Sequence, residues 1–212
     1  LDETISIENP QQTVNAVGKS VNEEKPDIKT VQTPDSQANY EVETVVVELA
    51  DLKQAQGILQ PRDRSLSEST VEAQRRASPD QFNPDRLLDS PTTGDGAPII
   101  ARDGTIMSGN GRVLTLQEVY SNQPGSRAAY TQALQSAGVN LEGYSQPVLV
   151  RRLTDTNMTV DDLKTFADLA NTDAQARMST TEVAQRDAQR MPPQVVNLYT
   201  GGDLTSLENK PF

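Results

Sequence analysis

A chain of 212 residues, 34% hydrophobic and only 4% aromatic, has apolar surface for one domain with polar segments attached. Its net charge of −11 argues against a general grip on nucleic acid, though not against a local basic groove. Having neither cysteine nor histidine, it excludes disulfides, thiolate and imidazole metal sites and Ser-His-Asp catalysis, and leaves chemistry to carboxylates, Lys, Arg, Ser, Thr, Tyr or a bound metal.

Residues 1–42 carry eight acidic residues against three lysines, one aromatic residue (Tyr40) and no sustained period. They read as an extended or disordered arm that makes few contacts with its own domain, or lies along a partner. The chain opens at Leu1 with neither a basic nor an apolar leader region, so no signal for its own secretion is visible, and no run approaches membrane-spanning length. The missing initiator Met and the abrupt end at Phe212 suggest a fragment of a longer polypeptide.

From residue 43 the pattern becomes regular. "ETVVVEL" (43–49) is β-branched and reads as a strand. "QPRDRS" (60–65) breaks it, and Ser67 then caps a helix with Glu68 and Glu72 early and Arg75 and Arg76 late. "SPTTGDGAP" (90–98) is a loop. "PIIA" and "TIM" around Asp103-Gly104 form a hairpin, with Asp103 as a turn residue. A helix from about Asn110 to Ser121 follows, with Val113, Leu116 and Tyr120 on one stripe.

After the breaker "NQPGS" (122–126), "RAAYTQALQSA" is helical until Gly138. "QPVLVRRL" (146–153) is a strand on which Arg151 and Arg152 face opposite sides, so at most one can enter a groove. Thr159 with Asp162, and Ser179 with Glu182, make capping-box patterns opening two further helices, the second ending at Pro192-Pro193. Short strands and segregated helices indicate an α+β fold over residues 43–192, with 193–212 leading into another module.

"SGNGR" (108–112) stands between a strand and a helix. Two glycines let the backbone approach a ligand closely, and the first amides of a helix attract anions. An arginine in the first helical turn adds a fork that fits phosphate oxygens. By itself the turn reads equally as ordinary punctuation or as a phosphate cradle, and it matches neither the dinucleotide fingerprint nor Walker A.

Three segments in order, "LQPRDRS", "GAPIIARDGTIMSGNGRVLTL" and "ADLANTDAQARMSTTEVA", resemble successive boxes of the ParB N-terminal domain in the ParB/sulfiredoxin superfamily. Gln60, Pro61 and Arg62 match its Gln-Pro-Arg box, Gly109 and Arg112 its Gly-x-x-Arg box, and Asn171, Glu182 and Ala184 its third. The "SGNGR" form looks closest to the DdrB-like ParB branch, found in large polyvalent proteins of bacteriophages and mobile elements.

The resemblance implies a site in which Gly109, Asn110, Gly111 and Arg112 cradle phosphate and Gln60, Arg62 and Asn171 close it. It implies an NTP (CTP or ATP) with Mg, and Asn171 as a metal ligand. It also implies a role in a phage or mobile-element DNA-handling or DNA-protecting, antirestriction-type protein, located in the bacterial cytoplasm or the virion. Partners would be a nucleotide or nucleic-acid phosphate, with other domains or phage proteins met through the 1–42 arm, and no membrane.

Two departures bear on chemistry. Asn110-Gly111 replaces Glu-Arg of the usual Gly-Glu-Arg-Arg, and Ala170 replaces the acid beside Asn171. They lead to an expectation of weak or absent NTPase or nuclease activity, with no catalytic residue assigned. The alternative is a degenerate ParB fold retained as an assembly module in a virion or multidomain complex.

Overall fold

The computed structural model describes residues 8–12, 15–22, 24–35, 38–56, 59 and 66–171. Gln60, Arg62, the expected helix opened by Ser179 and Glu182, and residues 193–212 lie outside that set. The fold is α+β. Seven strands, β1 (Lys19–Ser20), β2 (Ile28–Gln32), β3 (Asn39–Glu48), β4 (Lys53–Gln54), β5 (Ile99–Ile100), β6 (Thr105–Ser108) and β7 (Pro147–Leu153), form one mixed sheet. Its order is β1-β3-β7-β5-β6-β4, with β2 also paired to β3. The helices are α1 (Leu66–Ala77), α2 (Asn110–Asn122), α3 (Pro124–Ser136) and α4 (Val160–Ala170).

Strand periodicity distributes the core. Ile100 and Ile106 pack with Val113, Leu116 and Tyr120 of α2 and Tyr130 and Leu134 of α3. Their neighbours Ile99 and Met107 pack instead with Leu163, Phe166 and Ala167 of α4. Successive residues of a strand face opposite ways, so the sheet carries helices on both faces. The hairpin appears where Asp-Gly marked it: Asp103 Oδ1 accepts from the Thr105 amide at 2.8 Å. The capping box at Thr159 and Asp162 is complete, with both reciprocal bonds present. Pro124, expected to be a breaker, is the first residue of α3, where a missing N–H costs nothing.

The arm departs from its expectation. β2 forms an antiparallel ladder with β3 from Ile28↔Glu43 to Gln32↔Asn39, and β1 pairs Lys19 with Val46. Gln11 is wholly buried. Its Nε2 donates to Leu153 O (2.9 Å) and Asp155 O (2.8 Å), while its Oε1 accepts from the Arg102 amide (2.9 Å). Arg152 donates to Val17 O and pairs with Glu43 at 2.7 Å, both side chains largely buried. Few contacts and little regular structure is therefore wrong for the described part of 1–42. The arm docks largely by ladder and amide bonds, with Val31 buried and Val17 and Val21 packed against the core. β2 also reaches forward to the 90–97 loop: Gln32 donates to Pro91 O (2.8 Å) and accepts from Thr93 (2.9 Å).

Among the described residues no helix is long and apolar enough to cross a membrane. Tyr120 donates to Pro147 O at 2.6 Å and the Tyr130 hydroxyl accepts from the Leu149 amide at 3.1 Å. Burial pushes both hydroxyls well above the ordinary phenol value of 10, opposed by the Arg127 charge at Tyr120 and by the Leu149 amide at Tyr130, with smaller rises from Glu48 and from Tyr120 respectively. In the unfolded chain they ionise first. Their stabilisation is thus complete below about pH 10 and declines above it, by up to about 1.4 kcal/mol per pH unit for each tyrosine. The part of the phenolate absorbance that is lost when Tyr120 and Tyr130 are replaced by Phe should rise together with unfolding in an alkaline titration, rather than beforehand in the folded protein.

Candidate phosphate site

β6 delivers the chain to Gly109 at φ +98°, ψ +25°, a left-handed geometry that reverses the backbone into α2. Gly109 is the N-cap residue, and its carbonyl accepts from the amides of Arg112 (2.9 Å) and Val113 (3.1 Å). It has no side chain to cap the helix in return. The amides of Asn110 and Gly111 accordingly have no partner among the described residues. Asn110 Oδ1 is likewise buried without a partner among them.

α1 packs on this helix start. Arg76 Nη1 lies 3.8 Å from where a Gly111 β-carbon would stand, with nothing closer. Its Nε bonds Glu72 at 2.6 Å and its side chain is half exposed.

Arg112 was expected to fork outward onto phosphate. It folds back beneath the turn instead, donating to Gly96 O (2.5 Å), Thr93 O (3.4 Å) and Ser108 Oγ (3.3 Å). Ser108 Oγ in turn donates to Thr93 O at 3.1 Å. The guanidinium lies against Gly109, whose missing β-carbon would fall 2.7 Å from Nε. The first glycine therefore makes room for the arginine, and the second leaves open space at the helix start.

Arg151, the inward member of the strand pair, serves the same loop. It is fully buried and donates to Ser90 O, Thr92 O, Asp95 O and Ala97 O. No carboxylate among the described residues bonds either guanidinium. Burial pushes Arg112 down to about 10 and Arg151 down to about 9, and the charge of Arg112 adds to the fall at Arg151. Asp95 opposes both shifts. Both groups remain cationic at neutral pH, so two positive charges stand close together beneath the positive end of α2.

Asn171 is the C-cap of α4. Its Nδ2 donates to Ala167 O (2.6 Å) and makes a long contact with Met107 O (3.5 Å), which brings it beside β6 two residues before Gly109. No hydrogen bond joins Asn171 to the 109–112 turn among the described residues. The sequence named Arg151 only as one of two strand arginines of which at most one could enter a groove, held Ser108 only within "SGNGR", and gave no sign of the 90–97 carbonyls. Among the described residues no group of three or more acidic side chains could hold a metal, and Ala170 is buried and offers no ligand. These residues do not by themselves make a magnesium site.

With this geometry in view, comparison with protein-family models matches residues 35–154, more than half of the chain, to the ddrB-like ParB superfamily domain. The chain belongs to that family. Searches of curated proteins and of solved structures each returned no match. The ddrB-like ParB segment takes in β3 to β7, the 90–97 loop, the Gly109 turn, Arg112 and the buried Arg151. The described arm up to β2 precedes it, and α4 with Asn171 follows it.

Proposed function

We propose that this ddrB-like ParB domain binds a phosphate-bearing ligand, a nucleotide or a nucleic-acid end, at the start of α2. One observation carries the reading: the amides of Asn110 and Gly111 are unpartnered among the described residues and stand over the part-buried guanidinium of Arg112 and the buried one of Arg151, neither hydrogen-bonded to a carboxylate there. Helix dipole and side-chain charge point the same way, giving a local positive field in a chain of net charge −11. Arg76 borders the opening, and the unpaired end of the Asn110 amide can present a donor by rotating.

In this arrangement Arg112 acts through its charge and by shaping the turn. The family resemblance adds Gln60, Arg62 and Asn171 to the residues expected to bind the ligand. CTP or ATP is the expected ligand class, with magnesium arriving on the phosphates rather than held by a protein cluster. Turnover is expected to be slow or absent, and the setting is a phage or mobile-element protein that handles or protects DNA.

A second reading, a ParB fold kept as an assembly module, is favoured by the inward-facing Arg112 and by Ala170. Gly111→Asp separates the two. There is room for the side chain, and an acid in the first turn is favourable by about 0.3–1 kcal/mol, so the melting temperature should hold or rise. Affinity for CTP, ATP, GTP and UTP, measured by calorimetry with magnesium, should fall by about tenfold or more. An unaltered chain that binds none of the four favours the assembly module.

A further inference from the structure

The phosphate site leaves Arg151 without direct access to a ligand, yet its burial is expensive. With no carboxylate bonded to it and only the more distant charges of Asp89 and Asp95 to help, the charge must be offset largely by hydrogen bonds. Arg151 makes five: Nε to Ala97 O at 2.9 Å, Nη1 to Ser90 O and Thr92 O at 2.7 Å each, and Nη2 to Ala97 O at 2.6 Å and to Asp95 O. All accept on the loop that also receives Arg112 at Thr93 and Gly96. The two arginines divide that loop between them, one anchored in the sheet and the other in α2.

We propose that Arg151 is the positioning residue of the phosphate site. By fixing the 90–97 loop it fixes Arg112, and through Arg112 the Gly109 turn and the first amides of α2. Its functional meaning rests on the phosphate reading, whereas the mechanical linkage does not. A planar five-donor fork is required, because lysine offers three donors from a single point and cannot span carbonyls spread from Ser90 to Ala97.

The test compares the full chain with Arg151→Lys, Arg112→Lys, the double variant and Ser108→Ala. Inorganic triphosphate and CTP are the probes. Arg151→Lys should speed amide exchange about tenfold or more both in 90–97 and at Arg112 and Val113, whose amides bond Gly109 O, while α4 keeps its protection. It should weaken triphosphate and CTP binding about tenfold.

The double variant should lose no more affinity than the weaker-binding single variant, since linked residues act as one unit. Ser108→Ala removes the hydroxyl shared by Thr93 O and Arg112 with little change of volume. It should loosen the same two segments, and it carries the test if Arg151→Lys does not fold. Additive affinity losses, or faster exchange confined to the loop, overturn the proposal. If the unaltered chain binds neither probe, the phosphate reading fails, and exchange at Arg112 and Val113 still decides the linkage.

Discussion

Removal of residues 1–33 should abolish cooperative folding or lower the melting temperature by more than any single substitution considered above. The deletion strips β1 and β2 from the outer edge of β3 and takes away the buried Gln11 and Val31. Burying a valine is worth about 1.5–3 kcal/mol. Each acceptor or donor left unpaired where Gln11 sat costs about 1–3 kcal/mol, as does each buried ladder group left dry. Together these approach the roughly 5–15 kcal/mol that holds a whole domain.

Thermal melts and near-ultraviolet dichroism of the shortened and full chains measure it. Gln11→Ala is the gentler version, costing about 2–3 kcal/mol, or roughly 5–10 °C in a chain of this size. An unchanged melting temperature for either variant would return the arm to a loosely attached segment. The family match begins at residue 35, so this experiment also asks whether that segment suffices on its own.

The second large effect separates the two glycines of the turn. Gly109→Ala places a β-carbon on a residue at φ +98° and drives it to 2.7–2.9 Å from Nε, Nη2 and Cζ of Arg112. The left-handed conformation costs about 1–2 kcal/mol for alanine. The guanidinium can yield only by leaving Gly96 O, which adds about 1–3 kcal/mol if that carbonyl is left buried and unpaired, while Thr93 O keeps Ser108 Oγ as a donor. A total of about 3 kcal/mol or more is expected from denaturant unfolding. Gly111→Ala meets nothing within ordinary contact except Arg76 Nη1 at 3.8 Å and replaces a poor helix former, so it should gain up to about 1 kcal/mol. Equal effects from the two substitutions would mean that Arg112 is not held where the turn leaves room for it.

What the sequence disclosed divides along physical lines. β3, the Asp103-Gly104 hairpin, α2, β7 and the Thr159 cap were legible because each is specified locally, by alternation, turn chemistry or a cap. The docking of the arm was not, because Gln11 is held by carbonyls from residues 153 and 155, and no local pattern encodes a partner so distant.

The site shows the same divide. That "SGNGR" opens a helix was readable. That Arg112 turns inward was not, because its acceptors are main-chain oxygens of a loop whose residue types say nothing about where those oxygens point. Arg151 left one trace: two adjacent arginines on a buried strand cannot both reach solvent.

Gln11 also has a consequence for the order in which the molecule is assembled. Its amide meets Leu153 O across 142 residues of chain and Asp155 O across 144. At about 5–20 residues per second, a ribosome needs roughly 7–30 s to make that intervening length. During this interval the N-terminal strands have lost their entropy to nothing, and β3 has no completed edge on the β7 side. The Gln11 end of the arm is therefore among the last parts to lock, closing like a clasp, whereas β2 can pair with the neighbouring β3 as soon as both are made. Its polar composition suits the wait, since a segment with so few apolar side chains can stay in water without seeking the wrong partner.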